Sequence, residues 1–263
     1  MCAPGERTAT LFASGRRARL NCAVVQDPDL IGTLRRLDAD DPLVHELARL
    51  EPVNPVRSPA DLQRRLAADR LLYVLTVDDR PTVALWVAFT RGIPVRLGDV
   101  LHETLPVLEP DAADTAVFHS VWNVPGSPSV PGAARSTILQ AIGDLREQRP
   151  SITTASTISP IPGLRSWAPS SSPSPGTETS DRVRLAERYL HEFDDDNLPL
   201  DPVARFHLTN GARLWRVLPE ADPSALGEER SWGIMVNYRY EPEDRVANRA
   251  LLATGCIADG TAP

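Results

Sequence analysis

One stretch, residues 116–158, constrains the fold of this chain more than any other. An apolar run over 116–122 has the length and residue types of a strand. A Gly/Pro/Ser loop follows over 123–135, and within 136–148 the residues Ile138, Leu139, Ala141, Ile142 and Leu145 form an apolar helical stripe. A second strand-like run occupies 152–158. Strand, loop, helix and strand make a crossover unit, in which helix and strands cover each other's apolar faces. Ligands of such units collect at the carboxyl ends of the strands, where loop amides and a helix N-terminus face an anion.

The remaining segments fit around that unit. Residues 1–26 show no sustained period, whereas Leu30, Ile31, Leu34 and Leu37 recur at helical spacing, and 44–50 adds a turn or two before Pro52 and Pro55. Residues 1–50 are therefore expected as a partly disordered, short helical N-terminal extension, with 51–263 as the main domain. Ser58-Pro59-Ala60-Asp61 is a helix start, with a serine cap and proline at the first helical position, leading a helix through Leu62, Leu66 and Ala67. The runs 71–77 and 82–90, separated by Asp78-Asp79-Arg80-Pro81, read as a hairpin buried on both faces. Residues 166–181 are rich in Ser and Pro and are expected as a flexible loop. A helix over 182–193 capped by Asp181, strands over 213–218 and 232–240, and a weakly patterned tail from Glu241 complete the chain.

Charge and residue usage remove whole classes of function. With 263 residues and a formal net charge of -7, the chain lacks the basic face of a nucleic-acid binder, so a small-molecule partner is expected. All 28 cationic residues are arginine, which excludes Schiff-base chemistry and a Walker lysine. Cys2, Cys22 and Cys256 are widely spaced and no histidines pair at metal-ligand spacing, so no metal site is expected. The apolar runs are strand-sized and Arg16, Arg17 and Arg19 interrupt the start, which points away from a membrane and toward a cytoplasmic protein with reduced thiols.

Two segments could carry chemistry. Residues 156–163, S-T-I-S-P-I-P-G, put hydroxyls at the end of an expected strand and stiffen its exit with two prolines; the segment reads equally as a rigid mount or as a punctuated strand end. Residues 206–212, F-H-L-T-N-G-A, set a histidine among apolar neighbours, where spacing alone favours a structural role. The aromatic Trp232, Tyr238 and Tyr240 read as core, the acidic run 194–196 as solvated, and His45, His102 and His191 as surface groups. His119, mid-strand beside the loop, reads first as structural.

A family resemblance changes that balance. S-T-I-S-P-I-P-G-L (156–164) and D-P-V-A-R-F-H-L-T-N-G-A (201–212) resemble, in order, the two signatures of the malonyl-CoA decarboxylase family. The segments 51–66, V-F-H-S-V-W-N (117–123) and G-I-M-V-N-Y-R-Y (233–240) extend the likeness from about residue 50 to the end. The resemblance implies a GNAT-like mixed sheet flanked by helices, acting on malonyl-CoA or a substituted malonyl thioester with no cofactor, since coenzyme A is part of the substrate. It puts Ser159 and His207 at the catalytic positions. It also puts the coenzyme diphosphate at the loop Ser129, Val130, Pro131, Gly132, Ala133, Ala134 and Arg135, and the acyl end near Ser156 and Thr157. Asn210 and backbone amides are candidate donors to an enolate oxygen.

That loop departs from the family's glycine-rich pattern: Pro131 has no amide hydrogen, and Val130 and Ala134 restrict positive φ. Arg135 is then expected to supply charge the backbone no longer cradles. The departure keeps open an acyl-carrier-protein thioester as the partner, an acyl-CoA-dependent acyltransferase, and a non-catalytic acyl-CoA-binding homologue.

Overall fold

The computed structural model describes residues 30–168 and 178–260, so the expected loose terminus over 1–26 and most of the loop over 166–181 lie outside the described residues. The strands are β1 (Thr33–Leu37), β2 (Arg70–Val77), β3 (Arg80–Thr90), β4 (Thr115–Asn123), β5 (Thr154–Thr157), β6 (Ser159–Pro160), β7 (Arg213–Leu218) and β8 (Met235–Tyr240). The helices are α1 (Pro42–Arg49), α2 (Pro59–Arg65), α3 (Gly98–Leu101), α4 (Ala133–Gln148), α5 (Leu164–Trp167), α6 (Thr179–Leu190), α7 (Pro202–Thr209), α8 (Ala225–Ser231) and α9 (Arg245–Leu252).

The strands form one mixed sheet in the order β1-β2-β3-β4-β5-β8-β6, with β7 on the other edge of β8. The β4–β5 pair, joined through α4, is parallel and the remaining pairs are antiparallel. The crossover read from the sequence is thus the centre of the fold, and the α/β class holds. β2 and β3 meet at a two-residue turn in which Asp78 and Asp79 both take positive φ, 48° and 59°, the geometry that matches the twist of paired strands.

Alternation along β2 and β3 separates two cores. Tyr73, Leu85, Val87 and Phe89 join Phe118 and the α4 residues Ile138, Ile142 and Leu145. Leu72, Val74, Ala84 and Trp86 face the other way, against Val44 and Leu47 of α1. Helix α4 is further tied to the sheet by the Tyr73 hydroxyl, which donates to Asp144 at 2.6 Å.

Several boundaries differ from the sequence expectation. The spacing of Leu30, Ile31, Leu34 and Leu37 does not make a helix: residues 33–37 are β1, paired with β2 in register from Thr33↔Thr76 to Leu37↔Leu72. A free edge on β2 and the apolar groove beside it outweigh a four-residue helical pattern. Ser136 fastens this segment to α4, accepting from the Ile31 amide at 2.9 Å and donating to its carbonyl at 2.8 Å. Helix α2 stops at Arg65, short of Leu66 and Ala67. Helix α4 begins three residues before Ser136. Helix α6 begins at Thr179 rather than after an Asp181 cap, and ends at Leu190. β8 begins at Met235, because Trp232 takes a left-handed φ of 54° that closes α8. The tail beyond Glu241 contains α9. No helix among the described residues is long and apolar enough to cross a membrane.

Candidate active site

The site grows from a parting of two strands. β4 pairs with β5 only as far as Phe118↔Thr157. Past that point the chain at 159–160 follows β8 instead, in a register continuous from Ala155↔Tyr240 to Pro160↔Met235. β4 stays paired with β3 as far as Asn123, and a notch opens at the carboxyl ends of the two parallel strands. A cavity of about 320 Å³ fills it, walled by 118–123 of β4 on one side, by Ile158, Ser159 and Pro160 on the other, and by Ala134 and Ile138 of α4 and Val203, Phe206 and His207 of α7.

Ser159 and His207, 48 positions apart, meet on this cavity: Oγ and Nε2 are 3.2 Å apart. Ser159 donates to Thr157 Oγ1 at 2.9 Å, and Thr157 Oγ1 also accepts the Tyr238 amide at 3.1 Å. On the far side of the ring, His207 Nδ1 lies 2.8 Å from the Tyr240 hydroxyl. With Ser159 donating to Thr157, its oxygen accepts from His207 Nε2–H, which leaves Nδ1 to accept from Tyr240. Burial holds the imidazole neutral, with its pKa pushed down to about 3, and raises the Tyr240 phenol so that it keeps its proton.

The supports of these groups are local and buried. The Ser156 hydroxyl donates to the Tyr238 carbonyl at 2.9 Å, and Asn237 donates to the Thr157 carbonyl at 2.7 Å, so the strand end bearing Ser159 is fixed on both sides of Thr157. Asp201 caps α7, accepting the amides of Val203 and Ala204 at 2.9 Å each, with Pro202 at the first helical position. That places Ala204, His207 and Leu208 on the buried face of the helix. The Gly163 amide and Tyr189 hydroxyl lie beside the same Asp201 carboxylate, so one side chain links the turn after Ser159 to the helix of His207. A Cβ at Gly163 would overlap the Tyr189 hydroxyl, which requires glycine there. Tyr238 stacks on His207 with ring centroids 4.5 Å apart and an interplanar angle of 25°.

The other candidate residues are distributed less evenly. Of Ser129, Val130, Pro131, Gly132, Ala133, Ala134 and Arg135, Ala134 lines the cavity. Ser129, Pro131 and Gly132 are exposed at the start of α4, Arg135 is half-buried, and Val130 and Ala133 pack against Leu75 and Val83. Gly132 turns the loop into the helix with a φ of 82°. Ser156 and Thr157 are fully buried and turn their hydroxyls into the sheet. Asn210, at the C-terminal cap of α7, is buried beside the Tyr240 hydroxyl, behind the imidazole rather than on the cavity wall. Tyr238 and Tyr240 are core residues, as expected, yet both touch His207, and the sequence reading missed this second role. Their signal was the i, i+2 spacing within 235–240, which sends both rings to one face of a strand. His45, His102 and His191 are exposed. Among the described residues no group of three or more His, Cys, Asp or Glu side chains could hold a metal ion.

Comparison with known proteins agrees with this geometry. The family model for the malonyl-CoA decarboxylase C-terminal domain matches residues 32–186 and 178–262. The mitochondrial malonyl-CoA decarboxylase of Anser anser anser is 28% identical over 259 residues, covering 79% of this chain and 51% of the relative. That of Rattus norvegicus is 27% identical, covering 78% and 52%. The chain thus spans about half the length of the curated relatives it matches. The crystal structure of malonyl-CoA decarboxylase from Agrobacterium vitis superposes with a TM-score of 0.73 at 32% identity, covering 86% of this chain and 65% of that one. The enzyme from Rhodopseudomonas palustris gives 0.75 at 30% identity, covering 87% and 64%. At the level of fold alone, the loading GNATL domain of CurA from Lyngbya majuscula gives a TM-score of 0.55 at 17% identity, covering 81% and 98%, in keeping with a GNAT-like sheet. A family match over nearly all described residues, on a fold whose strand ends bring Ser159 to His207, is decisive: the chain belongs to the malonyl-CoA decarboxylase family.

Proposed function

We propose that this chain removes carbon dioxide from malonyl-CoA, or a substituted malonyl thioester, and leaves the corresponding acyl thioester. The contact of Ser159 with His207 on the wall of the strand-end cavity carries the reading. Decarboxylation needs the scissile C–C bond held perpendicular to the thioester plane, so that its electron pair passes into the carbonyl. In this reading the Ser159 hydroxyl turns its proton from Thr157 to the malonyl group and holds it in that rotation. A carboxylate entering beside the ring counteracts the burial that keeps His207 neutral, so the imidazole takes up a proton at Nδ1 with the substrate, the Tyr240 hydroxyl turning from donor to acceptor there. The C–C bond then breaks, CO2 leaves, the electron pair stays as the enolate, and His207 returns its proton to the α-carbon.

In this reading the coenzyme diphosphate sits at the N-terminus of α4, where residues 129–135 and the helix dipole would face it; Ala134, on the cavity wall, supports a passage from there to the acyl site. The scheme calls for neither a metal nor an organic cofactor. Its partner is a small acyl-CoA, with a carrier-protein thioester as the other form of the same substrate, in a cytoplasmic setting. Incubating the purified chain with malonyl-CoA while following CO2, acetyl-CoA and free thiol tests it. Equal release of CO2 and acetyl-CoA is expected. Free thiol without CO2 would identify an acyltransferase, and tight binding without turnover a sensor.

A further inference from the structure

The proposed roles of Ser159 and His207 leave one buried titratable group of the cavity unused. His119 lies on β4, the wall facing Ser159 and His207, and is 3% exposed. Its Nε2 has no hydrogen-bond partner. A buried ring nitrogen without a partner costs free energy comparable to a lost hydrogen bond, so its place on a ligand cavity calls for a ligand atom to complete it.

The surroundings of the ring say what that atom is. Its Nδ1 lies 3.4 Å from the Ser120 hydroxyl. Ser120 Oγ accepts from Asn54 Nδ2 at 3.0 Å, and the same Nδ2 donates to the His119 carbonyl at 2.8 Å. The Ser120 hydroxyl also faces the Glu51 carboxylate, and its 3.4 Å contact with Nδ1 is long, so a ligand acceptor at Nε2 selects the tautomer that carries the ring proton there. Behind lies a buried charge cluster. Arg65 pairs with Asp61 at 2.7 Å and faces Glu51 at 3.5 Å, while Arg70 and Arg64 both pair with Asp69. Burial first, then Arg65 and Arg70, hold the His119 pKa well below its ordinary value. The ring is therefore a neutral N–H donor. A malonyl thioester offers two acceptors at its acyl end, the carboxylate and the thioester carbonyl. They must face different ways for the scissile bond to stand perpendicular to the thioester plane, and the cavity has two facing walls.

We propose that His119, on the wall opposite Ser159 and His207, donates its Nε2–H to the thioester carbonyl and holds the enolate oxygen as CO2 departs. The inference rests on the decarboxylase reading. No proton is transferred at His119: it donates a hydrogen bond to an oxygen on which charge grows, while His207 supplies the proton to carbon. Such donors act mainly on the transition state, and losing one costs about 10²–10³ in kcat.

The test has two arms on the full chain. In the first, kcat and KM for malonyl-CoA are measured for the wild type, His119→Leu and His119→Gln. Gln can place an amide N–H near the Nε2 position, and Leu cannot. The expected result is a fall of about 10²-fold in kcat for the Leu variant with KM little changed, and recovery to within about tenfold for Gln. An unchanged kcat, or a change in KM alone, overturns the proposal. In the second arm, ¹⁵N-histidine spectra of the wild type are recorded with and without acetyl-CoA, which keeps the thioester carbonyl but has no carboxylate. The His119 resonance, identified by its loss in the Gln variant, should shift; a stationary resonance overturns the proposal. If the wild type releases no CO2, the decarboxylase reading fails, and the second arm alone decides whether His119 holds a thioester carbonyl. The second arm also decides if the Leu variant does not fold.

Discussion

The Tyr240 hydroxyl lies 2.8 Å from Nδ1 of His207, on the side of the ring away from Ser159. Because burial raises the Tyr240 phenol, it stays protonated across the working pH range and fixes the imidazole in the tautomer that presents Nε2 to the cavity. Tyr240→Phe leaves a buried Nδ1 unpartnered, a cost of about 1–3 kcal/mol. The variant is expected to melt at lower temperature and to lose about tenfold in kcat with little change in KM, through loss of ring orientation. Thermal melting and steady-state kinetics check both; full activity would detach Tyr240 from the site.

Ser159 and His207 act as one unit if the proposed mechanism holds. His207→Ala should lower kcat by about 10²–10⁴, the range of a lost general acid. Ser159→Ala should lower it by a similar factor, and the double variant by little more than the worse single one, since each group is useless without the other. Multiplicative losses in the double variant would show two independent contributions instead.

The crossover, the hairpin and the strand of residues 213–218 were legible because each is set by local period and turn chemistry. The β1 segment was not, since Leu30, Ile31, Leu34 and Leu37 carry a helical spacing and only the open edge of β2 makes them a strand. Helix α7 was legible in principle, since Asp201-Pro202 repeats the cap-then-proline start of Ser58-Pro59. Ser159 and His207 were named from a family resemblance, because nothing local in the sequence joins positions 48 apart. The roles of Tyr238 and Tyr240 needed the register of β8 against β5 and β7, a long-range quantity.

Stability should fall on acidification through a defined window. In the unfolded chain a histidine titrates near 6.5, whereas burial lowers His207 to about 3 and pushes His119 well below its ordinary value. Between these limits the unfolded state binds the extra protons, so stability is fully present above about pH 6.5 and is lost as pH falls toward 3. Glu51 and Asp201 are raised by burial and act in the opposite sense, losing stability as pH rises through the carboxylate range. The His207 part is isolated by difference. Urea midpoints of His207→Gln should depend less steeply on pH between 4.5 and 6.5 than those of the wild type, taking about these limits from the unfolded value. Parallel curves would mean the imidazole is not held neutral.

Asp201 separates two functions that a single substitution can pull apart. One carboxylate oxygen caps α7 through Val203 and Ala204, and the carboxylate also sits beside the Gly163 amide and the Tyr189 hydroxyl, the link to the turn that follows Ser159. Asparagine is as good a cap as aspartate, so Asp201→Asn should keep the helix. Its NH2 group would then meet the Gly163 N–H donor to donor, which opposes the contact between the Ser159 turn and α7. Asp201→Ala loses the cap as well, at about 0.5–2 kcal/mol. The expected order of stability is wild type, Asn, Ala. In activity the two variants should resemble each other, each losing about tenfold or more in kcat, since a small misplacement of reacting groups is enough to cost that much. Urea midpoints together with kcat read both quantities. An Asn variant of full activity would show that the cap alone, without the tether to Gly163, sets the distance between Ser159 and His207.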